Sequence, residues 1–347
     1  MKPINTALCS FGMSGVVFHA PFINVSPQFN LYAVWERSKN LAEQQYPGVR
    51  TYRTLEEILA DEAVELVVVN TPNASHFEYA KKALLAGKHV VVEKPFTVTV
   101  QEATELAMLA EQQQRKLSIF QNRRWDSDFL TVRQIATSNV LGNIVEAELH
   151  YDRYKPELSA KVHKETPGPG TGLVYDLGSH LIDQALQLFG MPQAVFADMS
   201  MLRPGSKVDD YMEILLYYPS LRVRIKSGYL VREPFPAFAL HGTLGSFLKP
   251  RADIQEESLN QHKIPGTPGW GIEPETARGL LHTEKDGKVV REYVNTLPGN
   301  YGRYYELLYE AIRNDQPLPV TPTEGVQVIS IIDKAYQSAK ERRVVEV

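Results

Sequence analysis

Five short runs of apolar residues punctuate the first third of the chain: Ile4 to Cys9, Leu31 to Trp35, Leu66 to Val69, His89 to Val92 and Leu117 to Phe120. A run that is apolar at nearly every position has no polar face to offer water, so each reads as a strand covered on both sides. Between them, Thr54 to Leu59, His76 to Ala86 and Val100 to Gln113 carry apolar residues at helical spacing, and Gly87 follows Leu84 and Leu85 as a helix stop. Strand alternating with helix predicts a parallel, doubly wound sheet, because parallel neighbours need a crossover that a helix supplies. This α/β pattern sets a first domain over residues 1–122.

Beyond residue 122 the spacing changes to period two, clearest in Val145-Glu146-Ala147-Glu148-Leu149-His150-Tyr151-Asp152 and in Leu221-Arg222-Val223-Arg224-Ile225-Lys226. Such strands bury one face only, and with Gln193 to Met201, Ala237 to His241 and Val289 to Val294 they predict a largely antiparallel sheet in a second domain, residues 123–322. Pro265 to Gly271 is rich in turn formers and predicts a surface loop. Val328, Ile331, Ile332, Ala335 and Ala339 recur at helical spacing after a proline-rich loop, so residues 323–347 are expected to pack back on the body.

Composition narrows the functional classes. With 43% hydrophobic and 22% charged residues the chain has enough apolar surface to fold, and 347 residues exceed what one core serves. A formal net charge of −4 offers no basic face for a nucleic acid. Cys9 is the only cysteine, so no intrachain disulfide forms and a reducing, cytoplasmic setting is expected. No long apolar stretch or leader pattern is seen, and no membrane association is expected.

The turn after the first strand reads Ser10-Phe11-Gly12-Met13-Ser14-Gly15. It matches the dinucleotide fingerprint G-x-G-x-x-G at the second and third glycines, with Ser10 where the tight-turn glycine belongs. Gly12 would let backbone approach a pyrophosphate, and Gly15 would let the following helix lie close to the strand. Taken alone, an ordinary glycine-containing turn would read the same way. Glu36 ends the second strand 21 positions past Gly15, where an acidic side chain meets an adenosine ribose hydroxyl. That points to NAD. Arg37, Ser38 and Lys39 follow at once, and a cation with a hydroxyl would instead hold the extra phosphate of NADP, so both cofactors stay open.

Thr71-Pro72-Asn73 with His76, and Ala86-Gly87-Lys88-His89-Val90-Val91-Val92-Glu93-Lys94-Pro95, resemble the signature of the Gfo/Idh/MocA family of glucose-fructose oxidoreductases and inositol dehydrogenases. The resemblance spans the chain, since Asp176-Leu177-Gly178-Ser179-His180 is similar to the family's catalytic segment and Pro319 to Val345 to its closing helix and strand. Gln121-Asn122-Arg123-Arg124-Trp125-Asp126 and Asp152-Arg153-Tyr154-Lys155-Pro156 look most like the branch holding NADP-dependent scyllo-inositol dehydrogenases. The resemblance implies a Rossmann domain, a second α/β domain with a large open, mostly antiparallel sheet, and a homodimer or homotetramer built on that sheet. It implies hydride transfer between a polyol, cyclitol or sugar and a nicotinamide, and a cis Lys94-Pro95 bond. The cofactor contacts it implies are Gly12, Met13, Gly15, Glu36, Arg37, Thr71, Pro72, Asn73, His76, Glu93, Lys94 and Asn122.

Oxidising a secondary alcohol needs a hydride acceptor, a base for the hydroxyl proton, and positive charge near the oxygen. Lys94 follows a strand of the doubly wound sheet, where ligands lie, and is assigned substrate orientation and electrostatic stabilisation. Asp176 and His180, with Asp183, share a stripe if their segment is α-helical, while Leu177, Leu181 and Leu188 form another. His180 is the expected general base and Asp176 its orienting partner, with Asp183 structural; on spacing alone such a pair is more often a surface pair or cap, and the resemblance reverses that. Arg123, Trp125, Arg153, Tyr154 and Lys155 offer aromatic faces and donors suited to a hydroxyl-rich ring, as substrate contacts or as surface residues. A metal would need a third ligand beside Asp176 and His180, from His150 or Asp152, and none is expected. Two rivals remain: a relative that uses nicotinamide without net redox to cleave a glycoside, and a noncatalytic dinucleotide sensor.

Overall fold

The computed structural model describes residues 2–347, the side chain of His163 excepted. The chain forms two compact units. One comprises Met1–Asn122, Gln255–Trp270 and Asn300–Val326, the other Arg123–Ile254, Gly271–Gly299 and Gln327–Val347. Residues 255–270 and 300–326 thus join the first unit rather than an unbroken second domain.

The first unit is built on six parallel strands, β1 (Ile4–Leu8), β2 (Phe29–Trp35), β3 (Arg50–Tyr52), β4 (Leu66–Val69), β5 (His89–Glu93) and β6 (Leu117–Phe120). Their order, β3-β2-β1-β4-β5-β6, is that of a Rossmann sheet and reverses direction between β1 and β4. Every residue of β4 and β6 is buried, as runs without a polar face require. The short, polar edge strand β3 lacks that signature, and its pattern does not announce it. The helices Leu55–Ala60, His76–Leu85 and Val100–Gln112 cross between strands. Thr54 closes a capping box with Glu57 on the first of these.

The late segments complete this unit's core. Helix Gly302–Asn314 sends Tyr304, Tyr305, Leu308 and Tyr309 inward. Tyr304 stands edge-on to Phe120 at 4.8 Å, Tyr305 meets Phe29 at 5.5 Å, and Trp270 reaches Phe22 at 6.1 Å.

The second unit carries nine strands: β7 (Ile144–His150), β8 (Ala194–Ser200), β9 (Tyr211–Tyr217), β10 (Arg222–Gly228), β11 (Phe238–Gly242), β12 (Gly245–Lys249), β13 (Gly279–Lys285), β14 (Lys288–Val294) and β15 (Val345–Glu346). The order is β14-β13-β12-β11-β7-β10-β9-β8-β15, with β7 and β10 parallel and every other neighbour antiparallel. Alternate residues of β9 and β10 are buried, and Leu181, Ile182 and Ala185 of helix Ser179–Phe189 are buried too. Helix Pro322–Glu341 leads to β15, which pairs with β8. Among the described residues no helix is long and apolar enough to cross a membrane.

Candidate functional site

The carboxyl ends of the parallel strands gather the expected cofactor residues on one edge of the first unit. Ser10 takes over the absent glycine's task, its Oγ accepting the Gly12 N–H at 3.0 Å to tighten the turn. Gly15 opens the next helix with a π-turn, Gly15–His19, continued by Ala20–Val25. A Cβ on Gly15 would lie 2.4 Å from the Ser10 carbonyl oxygen, whereas one on Gly12 would meet only Ser10 Oγ at 3.3 Å. Gly15 is therefore demanded by backbone, while Gly12 and Met13 are exposed.

Asn70 is a site residue that the motifs miss. Its Nδ2 donates to the Ser10 carbonyl at 2.8 Å and to Ser14 Oγ at 3.4 Å, tying the tip of β4 to the turn after β1. The signal was a polar side chain directly after the four-residue apolar run of β4.

Glu36 serves the local backbone. It is buried, and its two carboxylate oxygens accept the N–H groups of Leu41 at 3.1 Å and Ala42 at 3.0 Å, capping helix Leu41–Gln45. Arg53 pins the same loop through the carbonyls of Glu36 and Lys39. Arg37, Ser38 and Lys39 are left exposed at the strand end.

The segment after β5 is braced from two sides. Both ring nitrogens of buried His76 face carbonyl oxygens, Nδ1 to Pro95 at 2.8 Å and Nε2 to Thr71 at 2.9 Å. His76 thus joins the loops after β4 and β5, and burial lowers its pKa. Thr71 Oγ1 meets Ser75 Oγ at 2.7 Å, and Pro72 precedes the turn Asn73–Ser75. Glu93 Oε1 lies 2.9 Å from His19 Nε2, and His19 Nδ1 lies 2.6 Å from the Tyr305 hydroxyl. All three are satisfied when Tyr305 donates to Nδ1 and Nε2–H donates to Glu93. Burial pushes the Glu93 carboxyl up, but the hydrogen bond from His19 and the nearby Lys94 charge help to outweigh it and hold it below its ordinary range. Glu93 Oε2 accepts the Lys94 N–H at 3.1 Å, and the Lys94-Pro95 bond is cis. Asn122 is buried on the turn that follows β6.

Arg123, Trp125, Tyr154, Asp176 and His180 belong to the second unit, and Lys94 to the first. His180 is buried on the first turn of helix Ser179–Phe189, which follows a second π-turn, Val174–Gly178. The i→i+5 geometry of that turn shifts the phase, so the straight stripe expected of an α-helix does not run from Asp176 to His180. Asp176 Oδ2 accepts from Lys164 Nζ at 3.0 Å. Asp183 takes the Arg124 fork at 2.9 and 2.6 Å, and Gln184 donates to the Arg123 carbonyl at 3.1 Å, anchoring the helix. Trp125 is buried, whereas Tyr154 is exposed with the Arg232 guanidinium 4.0 Å from its ring centre. Among the described residues no group of three or more His, Cys, Asp or Glu side chains is placed to hold a metal.

Comparison with known proteins covers both units. Residues 4–121 match "Oxidoreductase family, NAD-binding Rossmann fold" of GFO_IDH_MocA, and residues 133–347 match its C-terminal alpha/beta domain. The chain is 37% identical over 342 residues to scyllo-inositol 2-dehydrogenase (NADP(+)) IolW of Bacillus subtilis, covering 99% of this chain and 95% of that one. It is 38% identical to the uncharacterized oxidoreductase YdgJ of Escherichia coli, covering 98% and 97%. A solved Bacteroides fragilis structure covers all of both chains with a TM-score of 0.92 at 48% identity.

Proposed function

The chain belongs to the Gfo/Idh/MocA family of NAD(P)-binding oxidoreductases, and from that premise we propose that this dehydrogenase acts on a secondary alcohol of a cyclitol or sugar with NADP. The observation that carries the cofactor reading is the loop after β2. With both Glu36 oxygens held by the amides of Leu41 and Ala42, the exposed groups at the strand end are those of Arg37, Ser38 and Lys39, which suit a ribose phosphate.

The turn residues fit a dinucleotide: Gly12 and Met13 are exposed, and Gly15 admits a close helix start. Thr71, Pro72, Asn73, Glu93 and Asn122 complete the cofactor edge, with His76 bracing it. NADP would supply the hydride acceptor when bound. Lys94 holds the alcohol oxygen and stabilises negative charge as it develops there. His180 takes the hydroxyl proton during oxidation and returns it during reduction. Asp176, steadied by Lys164, contacts a substrate hydroxyl, and Arg123, Trp125 and Tyr154 shape the pocket. A cytoplasmic homodimer or homotetramer joined through the nine-stranded sheet completes the reading, and sedimentation would test its assembly.

The direct test follows nicotinamide absorbance while inositols and aldoses are offered with NADP or NAD, with Lys94→Ala as control. Reduction of NADP by a polyol, lost in the variant, is expected. Absence of hydride transfer from every polyol, in both directions and with both cofactors, would overturn the proposal.

A further inference from the structure

Two tyrosines of the second unit carry arginines on their rings, and the charges around them differ. Arg203 lies 4.7 Å from the Tyr229 ring centre and is neutralised by Asp210 at 3.0 Å and Glu165 at 3.1 Å. Tyr151 gathers three guanidiniums: Arg251 at 4.1 Å, Arg153 at 4.9 Å and Arg123 at 5.0 Å. Asp126 is shared between two of them, lying 3.4 Å from Arg123 and 3.6 Å from Arg251. Burial and the neighbouring Asp253 push the Asp126 carboxyl well above its ordinary range, which weakens it as a counter-ion.

Arg153 donates to the Tyr151 hydroxyl at 3.3 Å, and among the described residues no carboxylate comes within ion-pairing distance of it. Arg251 gives one hydrogen bond, to the His150 carbonyl at 3.2 Å, while its Nε and Nη1 are buried without a hydrogen-bond partner. Two guanidiniums on one ring, one with no carboxylate within ion-pairing distance among the described residues and one with two unsatisfied buried nitrogens, are costly unless an anion shares them. This surplus adjoins the assigned chemistry, since Arg153 feels the charge of Asp176 as well as that of Arg123.

We infer that the arginine cluster on Tyr151 is a subsite for an acid group, carboxylate or phosphate, carried by the substrate. The inference rests on the dehydrogenase reading above and narrows its substrate from polyols in general to acid-bearing ones, such as uronates, aldonates or sugar phosphates. Guanidinium forks match both oxyanions, and the aromatic face holds the forks in place.

The experiment compares matched substrates on the full-length protein: glucose, glucuronate and glucose 6-phosphate, each by turnover with NADP and by ligand-induced thermal shift. An acid-bearing sugar should exceed its neutral counterpart in kcat/KM by about 10- to 100-fold, the worth of a charge-assisted hydrogen bond. Raising the salt should shrink that ratio. Arg153→Met and Arg251→Met should abolish the preference and the acid-induced thermal shift, and Arg153→Lys should keep part of both. The carboxylate and phosphate arms identify which acid is read. Preference for the neutral sugar, or an acid preference that survives both Met variants, overturns the inference while leaving the dehydrogenase reading in place. An Arg153-dependent thermal shift with an acid that is never oxidised supports the subsite and instead removes the reading of that acid as a substrate.

Discussion

Both helices assigned to function begin with a π-turn, Gly15–His19 in the first unit and Val174–Gly178 in the second, and each turn contains a glycine at one end. The resemblance ends there. The first glycine faces rigid backbone, where a Cβ would come within 2.4 Å of the Ser10 carbonyl oxygen. The second faces a flexible side chain, with Met212 Sδ 2.9 Å from the position of a Cβ. In the proposed reading the first turn brings backbone toward the dinucleotide and needs an empty position. The second carries Asp176 and leads into the helix turn that holds His180, side chains the same reading needs in place. A glycine motif in sequence therefore marks the first kind of helix start and is silent about the second.

The largest effect should come from the side-chain turn. His180→Ala is expected to lower turnover by about 10²- to 10⁴-fold with dinucleotide affinity nearly unchanged, by steady-state kinetics alongside binding titration. A full rate in that variant would remove His180 from the chemistry and erase the contrast. Gly15→Ala comes next. Displacing the turn should weaken dinucleotide binding at least about tenfold, equivalent to roughly 1.4 kcal/mol, by calorimetry; wild-type affinity would show that the backbone gives way. Arg37→Ala should cost NADP about tenfold and leave NAD nearly as before, since it removes one charge-assisted contact to the extra phosphate. Equal losses would return the adenosine end to Glu36. Gly178→Ala should be the mildest, shifting stability by about 1 kcal/mol or less in a denaturant melt, because the Met212 thioether can move aside.

Legibility in the sequence follows the same divide. The buried strands of the first unit announce themselves because burial on both faces leaves no room for polar residues, and the open sheet shows itself through the alternation of β7 and β10. What the sequence leaves unmarked depends on partners distant along the chain. Glu36 stands at the expected spacing, yet its carboxylate serves the helix at Leu41. Asn70 reaches back sixty residues to Ser10, and His19 joins Glu93 to Tyr305 across most of the chain. No local pattern encodes such pairings. The phase of the Asp176 segment is unmarked for a related reason: the stripe holds only if the segment is α-helical, and the sequence does not announce the π-turn at Val174–Gly178.

The aromatic roof that Gly302–Asn314 lays over Phe29 and Phe120 has a consequence for biosynthesis. A ribosome releases the six strands of the Rossmann sheet long before it makes Tyr304, Tyr305 and Tyr309. The nascent sheet must wait, one greasy flank bare, until the residues from Gly302 to Asn314 emerge. A fragment truncated after Asn122 would keep that flank permanently uncovered, and should be recovered as aggregate rather than as a free-standing nucleotide-binding module.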